Sequence, residues 1–480
     1  MALIIRGGTL ITEADSFPAD ILIEGEKIRA ISSCAEHPQA RIIDATGKLI
    51  MPGGVDPHTH FGLRMAGTVS SDDHYSGHKA AAFGGTTTVL DFVSLDAPSL
   101  SESIEQWHCK ASLLAAVDYS FHMNMTPQPG QERSRLPVSL LAEISRLPAE
   151  GITSLKVFTA YNQRLRLSDD EIFRVLRLAA ENGLLTMLHA ENGDVIELLT
   201  AEALAAGHTT PEWHARTRPA WLAVEAALRG AALAALAGAP LYLVHMNTAG
   251  EVDMLSYARS QGQPIMGETC PQYLFFDQEK LSQPDGAKWV CSPPLRSQAD
   301  QARLWEGLSN GKLQVIGTDH CPFFYDGSQP ILYEGKPVAI PGKELGRGDF
   351  TRIPNGLPAV GDRLPILWTY GVGIGRITPN QFVALTSTNP AKIFGLYPQK
   401  GALVPGADAD LVIWNPRKKV RYGRDIAQHR TDYNLFEGWE LTGFPELVLL
   451  RGQVIVENGQ WLGKAGNGKF IKRQPGAPVL

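Results

Sequence analysis

The chain has 480 residues, 44% hydrophobic and 20% charged, with 44 Lys and Arg against 50 Asp and Glu for a formal charge of −6. That length suits one large domain or two to three ordinary ones, and the composition, free of low-complexity tracts, excludes a disordered chain. The mildly acidic balance argues against a nucleic-acid footprint. Five scattered cysteines (Cys34, Cys109, Cys270, Cys291, Cys321) form no CxxC pair or disulfide framework, so a reducing cytoplasm is the expected home. The opening MALIIRGGTL carries no cleavage or transit signal, and no run of 18 or more apolar residues predicts a membrane span. The 47 glycines and 32 prolines imply many strand-to-loop corners.

In chain order, residues 3–11, 20–31 and 40–50 read as short β-branched strands. Residues 408–416 and 446–461 read the same way, the last pair joined through Arg451-Gly452. Neither set closes a sheet alone, so the termini are expected to pair into one small β-sandwich. Between them, eight strand-like runs alternate with helical stretches: 54–61, 86–93, 119–125, 154–161, 184–191, 240–247, 264–271 and 313–320. Residues 168–183 predict a helix with a Ser168/Glu171 capping box, apolar Ile172, Val175, Leu176 and Ala179, and an Asn182-Gly183 stop. The Ala-rich run 220–238 is the clearest helix. Eight βα units in roughly 350 residues predict an α/β fold of the TIM (β/α)8 type. A doubly wound sheet is the alternative, but no GxGxxG follows the first strand. The expected division is 1–52 with 400–480 for the sandwich and 53–399 for the barrel.

Polar residues recur at the C-terminal ends of the barrel strands, where such barrels keep their active sites. The first strand ends His58-Thr59-His60, and residues i and i+2 of a strand share a side. The fourth carries Lys156, the fifth ends in His189, the sixth in His245 and the eighth in Asp319. The other nine histidines fall elsewhere. A lone strand-end histidine is commonly a satisfied core residue, but the joint set suits a metal such as zinc. Lys156 sits in the apolar run SLKVFTAY, where lysine is rarely buried without a partner. It is either a buried ion pair, a side chain reaching out of the barrel mouth, or an amine converted by CO2 into a bridging carbamate.

The motifs PGGVDPHTHF, GTTTVLDF, SLKVFTAY, LLTMLHAEN, ETCPQYL, SPPLR and GTDHCPF resemble the cyclic amidohydrolases, on the dihydropyrimidinase and D-hydantoinase (phenylhydantoinase-like) branch. The match continues through GRGDFTRIPNGLP and PGADADLVIWNP, covering nearly the whole chain. The resemblance implies a barrel with a sandwich from both termini and a binuclear centre, usually zinc. His58, His60, N6-carboxylated Lys156 and Asp319 would hold one ion; the Lys156 carbamate, His189 and His245 the other. It implies hydrolysis of a dihydropyrimidine or 5-substituted hydantoin to the N-carbamoyl amino acid by a metal-bridging hydroxide. Asp319 is the implied proton carrier and Tyr161 the oxyanion donor. Backbone groups of Ser292 and Asn355 would grip the ring's amide edge. A homotetramer and a place in pyrimidine catabolism are also implied.

Departures narrow the ring. HTHFGLRM lacks the arginine that dihydroorotase-like members place just after HxHF, and AGTVSSDDHYSGHKAAAFGGTTT differs from the allantoinase pattern. Leu63, Met65 and Phe158 predict an apolar wall for a bulky substituent. Allantoinase or another cyclic ureide hydrolase is the alternative. A mononuclear deaminase would share HxH and the late Asp but has no use for Lys156. The scaffold proteins of the collapsin response mediator type lack the ligand set, which is intact here. His320 is a candidate support for the centre, or plain packing. Cys291 and Cys321 are expected to be inert.

Overall fold

The computed structural model describes residues 2–128, 135–327, 330–333 and 336–480. The eight expected barrel strands are Gly54–Thr59, Thr86–Val93, Asp118–Asn124, Ser154–Phe158, Leu185–His189, Leu241–Leu243, Ile265–Thr269 and Val315–Ile316. They pair in sequential order and in parallel. A parallel bridge between Thr59 and His320 joins last to first, with His60 N donating to His320 O at 2.8 Å.

Strands in such a barrel are buried on both faces, which explains the near-continuous apolar runs; all eight residues of Thr86–Val93 are buried. Alternation divides them. Leu90, Phe92, Leu185, Met187, Tyr242, Met266 and Val315 fill the interior. Val89, Val93, Leu155, Val157, Leu188 and Leu243 pack outward against the helices. Because Leu155 and Val157 face out, Lys156 faces in.

Two helices follow their sequence signals. Asp169–Glu181 buries Ile172, Val175, Leu176 and Ala179, and Gly183 takes φ +67 at its end. The expected capping box is absent: the Ser168 hydroxyl bonds Asp170 Oδ1 at 2.6 Å, and Glu171 is buried against Arg135. Ala220–Ala237 packs on its neighbours through Ala223, Ala227, Gly230, Ala231 and Ala234, small residues that permit close approach. By length and composition alone this helix could cross a bilayer, but its packed stripe makes it part of the barrel's outer ring.

Both termini build one separate nine-stranded sheet. Leu49–Pro52 from the N-terminal segment pairs with Leu411–Arg421 from the C-terminal one, joining the halves. The run 20–31, read as one strand, is two: Ser16–Glu24 and Lys27–Ser32 form a hairpin around Gly25, whose φ of +62 suits glycine. After Trp461 the chain leaves the sheet and crosses the barrel floor. Ile471 N donates to Tyr119 O, the Ile471 side chain joins the interior cluster, and buried Arg473 bonds Ser120 Oγ, Ser154 Oγ and the Phe121 carbonyl.

A buried charge cluster joins barrel to sheet. Lys400, 1% exposed, lies 2.5 Å from Asp118, 3.0 Å from Asp408 and 2.7 Å from Asp410, while Arg451 also bonds Asp118. Removing the central cation takes an ion-pair partner from three carboxylates at once, and breaking a buried ion pair from one side typically costs about 3–5 kcal/mol. Lys400→Met should therefore lower unfolding stability by about that amount, read as a reduced urea midpoint.

Candidate metal centre

Local chemistry fixes the first and eighth strand ends together. The buried Asp56 carboxylate accepts from His58 N and Thr318 N, each at 3.2 Å, and from Thr318 Oγ1 at 2.7 Å. This staple sets His58 and His60 opposite Asp319: His58 Nε2 and His60 Nε2 lie 3.2 and 3.1 Å from Asp319 Oδ1. The three side chains offer ligand atoms within 4.8 Å of one another.

Partners on the far side of each ring decide which nitrogen points inward. His58 Nδ1 sits 2.7 Å from Glu268 Oε1, and His189 Nε2 sits 2.9 Å from Glu191 Oε2. A carboxylate only accepts, so those nitrogens carry the protons and His58 Nε2 and His189 Nδ1 face the cavity. His189 Nδ1 then lies 2.9 Å from His245 Nε2. Neither Glu268 nor Glu191 was singled out from the sequence. Their signal was a carboxylate in a buried strand (IMGET) and one two residues after a strand-end histidine. Glu268 also accepts from Tyr242 Oη at 3.0 Å and His245 N at 3.1 Å, so one residue orients two of the histidines.

The electrostatics follow from burial. Burial opposes a charge on His58, but the Glu268 and Asp319 carboxylates outweigh it and raise its pKa to about 9. Burial holds His245 well below the usual imidazole range, with His189 and Lys156 adding to the effect. Burial also works to raise Asp319, yet His58 and His60 hold it well below the usual carboxylate range. A strong acid therefore faces histidines that mostly resist protonation, an arrangement that suits a divalent cation.

Lys156 is 2% exposed, so it does not reach out of the mouth. Among the described residues no carboxylate lies within ion-pair distance of it. Its Nζ stands 5.0 Å from the Phe92 ring centre and 5.4 Å from that of Phe158. Burial lowers its pKa to about 8. An amine that gives up its proton more readily than an ordinary lysine, beside the imidazoles and Asp319, fits the carbamate chemistry better than a paired ammonium.

Three of the seven non-glycine residues with positive φ among those described are Tyr161 (φ +64), His245 (φ +39) and Asp319 (φ +52). Such backbone is costly and concentrates where side chains must be aimed. Burial raises the Tyr161 pKa, so the phenol keeps its proton. Asn355 Nδ2 donates to Ser292 Oγ at 3.1 Å, and His214 Nε2 lies 3.2 Å from the same oxygen.

These groups border one cavity of about 180 Å3. Each ligand, catalytic, edge-binding and wall residue named from the sequence lines it, including Leu63, Met65 and Phe158. Arg64 and Arg164, from the two segments expected to wall the pocket, line it, and so do Ser94 and Asn124, which were not named from the sequence. His320 does not: its Nδ1 accepts from Ala359 N and Val360 N, and its Nε2 lies 3.2 Å from Asp72, so it braces the loop behind the site. Cys291 and Cys321 are buried, and burial pushes the Cys291 thiol up to about 12, consistent with inert fillers.

Comparison with known proteins agrees with this geometry. The profile of the Amidohydrolase family matches residues 49–455. The chain is 46% identical over 477 residues to a D-hydantoinase of Geobacillus stearothermophilus, covering 98% of this chain and 97% of that one. It is 43% identical over 478 residues to a D-hydantoinase of Streptomyces coelicolor, again covering 98% and 97%. The crystal structure of dihydropyrimidinase from Brevibacillus agri NCHU1002 superposes with a TM-score of 0.93 at 46% identity, covering 99% of this chain and 100% of that one. The chain belongs to the amidohydrolase family, on its hydantoinase and dihydropyrimidinase branch, and is a cyclic-amide hydrolase.

Proposed function

We propose that the protein opens 5-substituted hydantoins, and dihydropyrimidines alongside them, to N-carbamoyl amino acids at a binuclear metal centre. The observation that carries this reading is the inward set of His58 Nε2, His60 Nε2, His189 Nδ1, His245 Nε2 and Asp319 around a buried lysine. Two divalent ions, zinc in the first instance, would be held by these residues and by Lys156 as its CO2 carbamate. Bound there, they supply Lewis acidity and a hydroxide at neutral pH.

The chain's own residues do the rest. Backbone groups of Ser292 and Asn355 hold the amide edge and present the adjacent carbonyl. Tyr161, kept protonated by burial, donates to the carbonyl oxygen as charge develops on it. Asp319 takes the proton released by the attacking water and passes it to the leaving ring nitrogen. The ring C–N bond breaks, the carbonyl carbon becomes a carboxylate, and the nitrogen leaves as part of a ureido group. Leu63, Met65 and Phe158 surround the exocyclic substituent and favour an apolar one. The names of the relatives point to the D-enantiomer as the preferred substrate. The five free thiols accord with the cytoplasm, and we assign the protein to a homotetramer there, with dihydropyrimidine turnover giving it a part in pyrimidine catabolism. Residues 1–52 with 400–480, and 53–399, are the proposed domains.

The decisive experiment is a substrate panel with metal analysis: dihydrouracil, hydantoin, 5-phenylhydantoin, allantoin and dihydroorotate. Turnover of 5-phenylhydantoin above the rest, with about two metal ions per chain, is expected; activity confined to allantoin would overturn the assignment. Replacing Leu63, Met65 and Phe158 by Ala should lower the ratio of 5-phenylhydantoin to dihydrouracil activity, and an unchanged ratio removes the apolar-wall reading. Lys156→Ala should lose bound metal, as measured by elemental analysis; full metal content would rule out the carbamate bridge. Asp319→Ala should cut turnover at least about 10²-fold, whereas near-normal rates would put the proton carrier elsewhere.

A further inference from the structure

The two turns that carry Ser292 and Asn355 come from distant parts of the chain, and their spacing sets what the ring's amide edge meets. Direct ties join them: Gly356 N donates to Val290 O at 3.1 Å, and Asn355 Nδ2 to Ser292 Oγ at 3.1 Å. A third group enters from outside. Lys343 is 1% exposed, and its Nζ donates to Val290 O at 2.8 Å and to Pro354 O at 3.2 Å. One acceptor lies two residues before Ser292 and the other directly before Asn355.

Lys343 is itself held in place. Its backbone N donates to Phe324 O at 2.8 Å, and the neighbouring Glu344 carboxylate accepts from Gly327 N and Gly342 N, each at 2.9 Å. Both acceptors of its amine are neutral carbonyls, and among the described residues no carboxylate pairs with it. Burying an amine this way is expensive, and an apolar residue of similar volume would avoid the cost. Burial lowers its pKa to about 7, but charged and neutral amines both donate to carbonyls.

We propose that Lys343 is a positioning residue that clamps the 290–292 and 354–356 turns at the separation the substrate's amide edge requires. It touches no ligand of the metal centre, so its effect is on ring binding rather than on the nucleophile. The proposal rests on the reading that these turns grip the ring.

The test compares the metal-loaded enzyme with Lys343→Met, using 5-phenylhydantoin. Hydrogen bonds from charged groups are worth enough that KM should rise about 10-fold or more. Metal content should stay the same and kcat should change far less than KM. Amide exchange at Gly356 should speed up in parallel. In Lys343→Ala, added propylamine, which replaces the missing Cγ to Nζ, should restore KM; this variant also decides the matter if the methionine protein does not fold. An unchanged KM, a joint loss of metal and kcat, or no recovery with propylamine overturns the clamp. Failure of the unsubstituted enzyme to hydrolyse any ring would instead refute the substrate reading. Gly356 exchange would then still decide whether Lys343 ties the turns.

Discussion

The structure turns on a set of buried nitrogen and oxygen ligand atoms aimed at one point. Glu268 and Glu191 take the outer protons of His58 and His189, leaving the inner nitrogens to face Asp319 and His245 at about hydrogen-bond distance. Their lone pairs converge on one buried space, and burial disfavours a second proton on His60, His189 and His245. A divalent cation suits that point because it accepts several of these lone pairs at once. The positive φ values at Tyr161, His245 and Asp319 mark the backbone strain accepted to keep the groups aimed.

That strain needs a rigid frame. Asp56 ties the first strand to the eighth beneath the centre, and buried Arg363 bonds the Val55 and Ile316 carbonyls on the same two strands. The Lys400 cluster then fixes the barrel to the terminal sheet. Polar groups thus brace the barrel at its seam and its edge. This bracing lets the mouth hold strained backbone at Tyr161, His245 and Asp319 without loosening the strands that carry it.

Much of this was legible in the sequence because periodicity and anomaly both leave traces. His58 and His60 share a face by strand geometry, and Lys156 stood out as a charge in an apolar run. The eight barrel strands appeared as apolar stretches because both of their faces are buried. What stayed hidden depends on distant neighbours. Glu268 looks like any strand carboxylate until Tyr242 and two histidines converge on it. Lys343 lies in an irregular segment with no period to read. The hairpin at Gly25 hid inside a continuous β-branched run, and Ser168 met the capping pattern while its hydroxyl found Asp170 instead.

The strand-like contact between the tail and Tyr119, with Ile471 in the interior and Arg473 under Ser120 and Ser154, has a consequence for biosynthesis. During translation these residues leave the ribosome after all eight barrel strands. Until they arrive, the floor of the barrel lacks an interior side chain and the donors that satisfy the Phe121 carbonyl and two buried hydroxyls. These long-range contacts are therefore among the last that can form, and long-range closure is the slow part of folding such topologies. A barrel that closes before the tail emerges is open at its base and leaves the interior residues that pack on Ile471 exposed there.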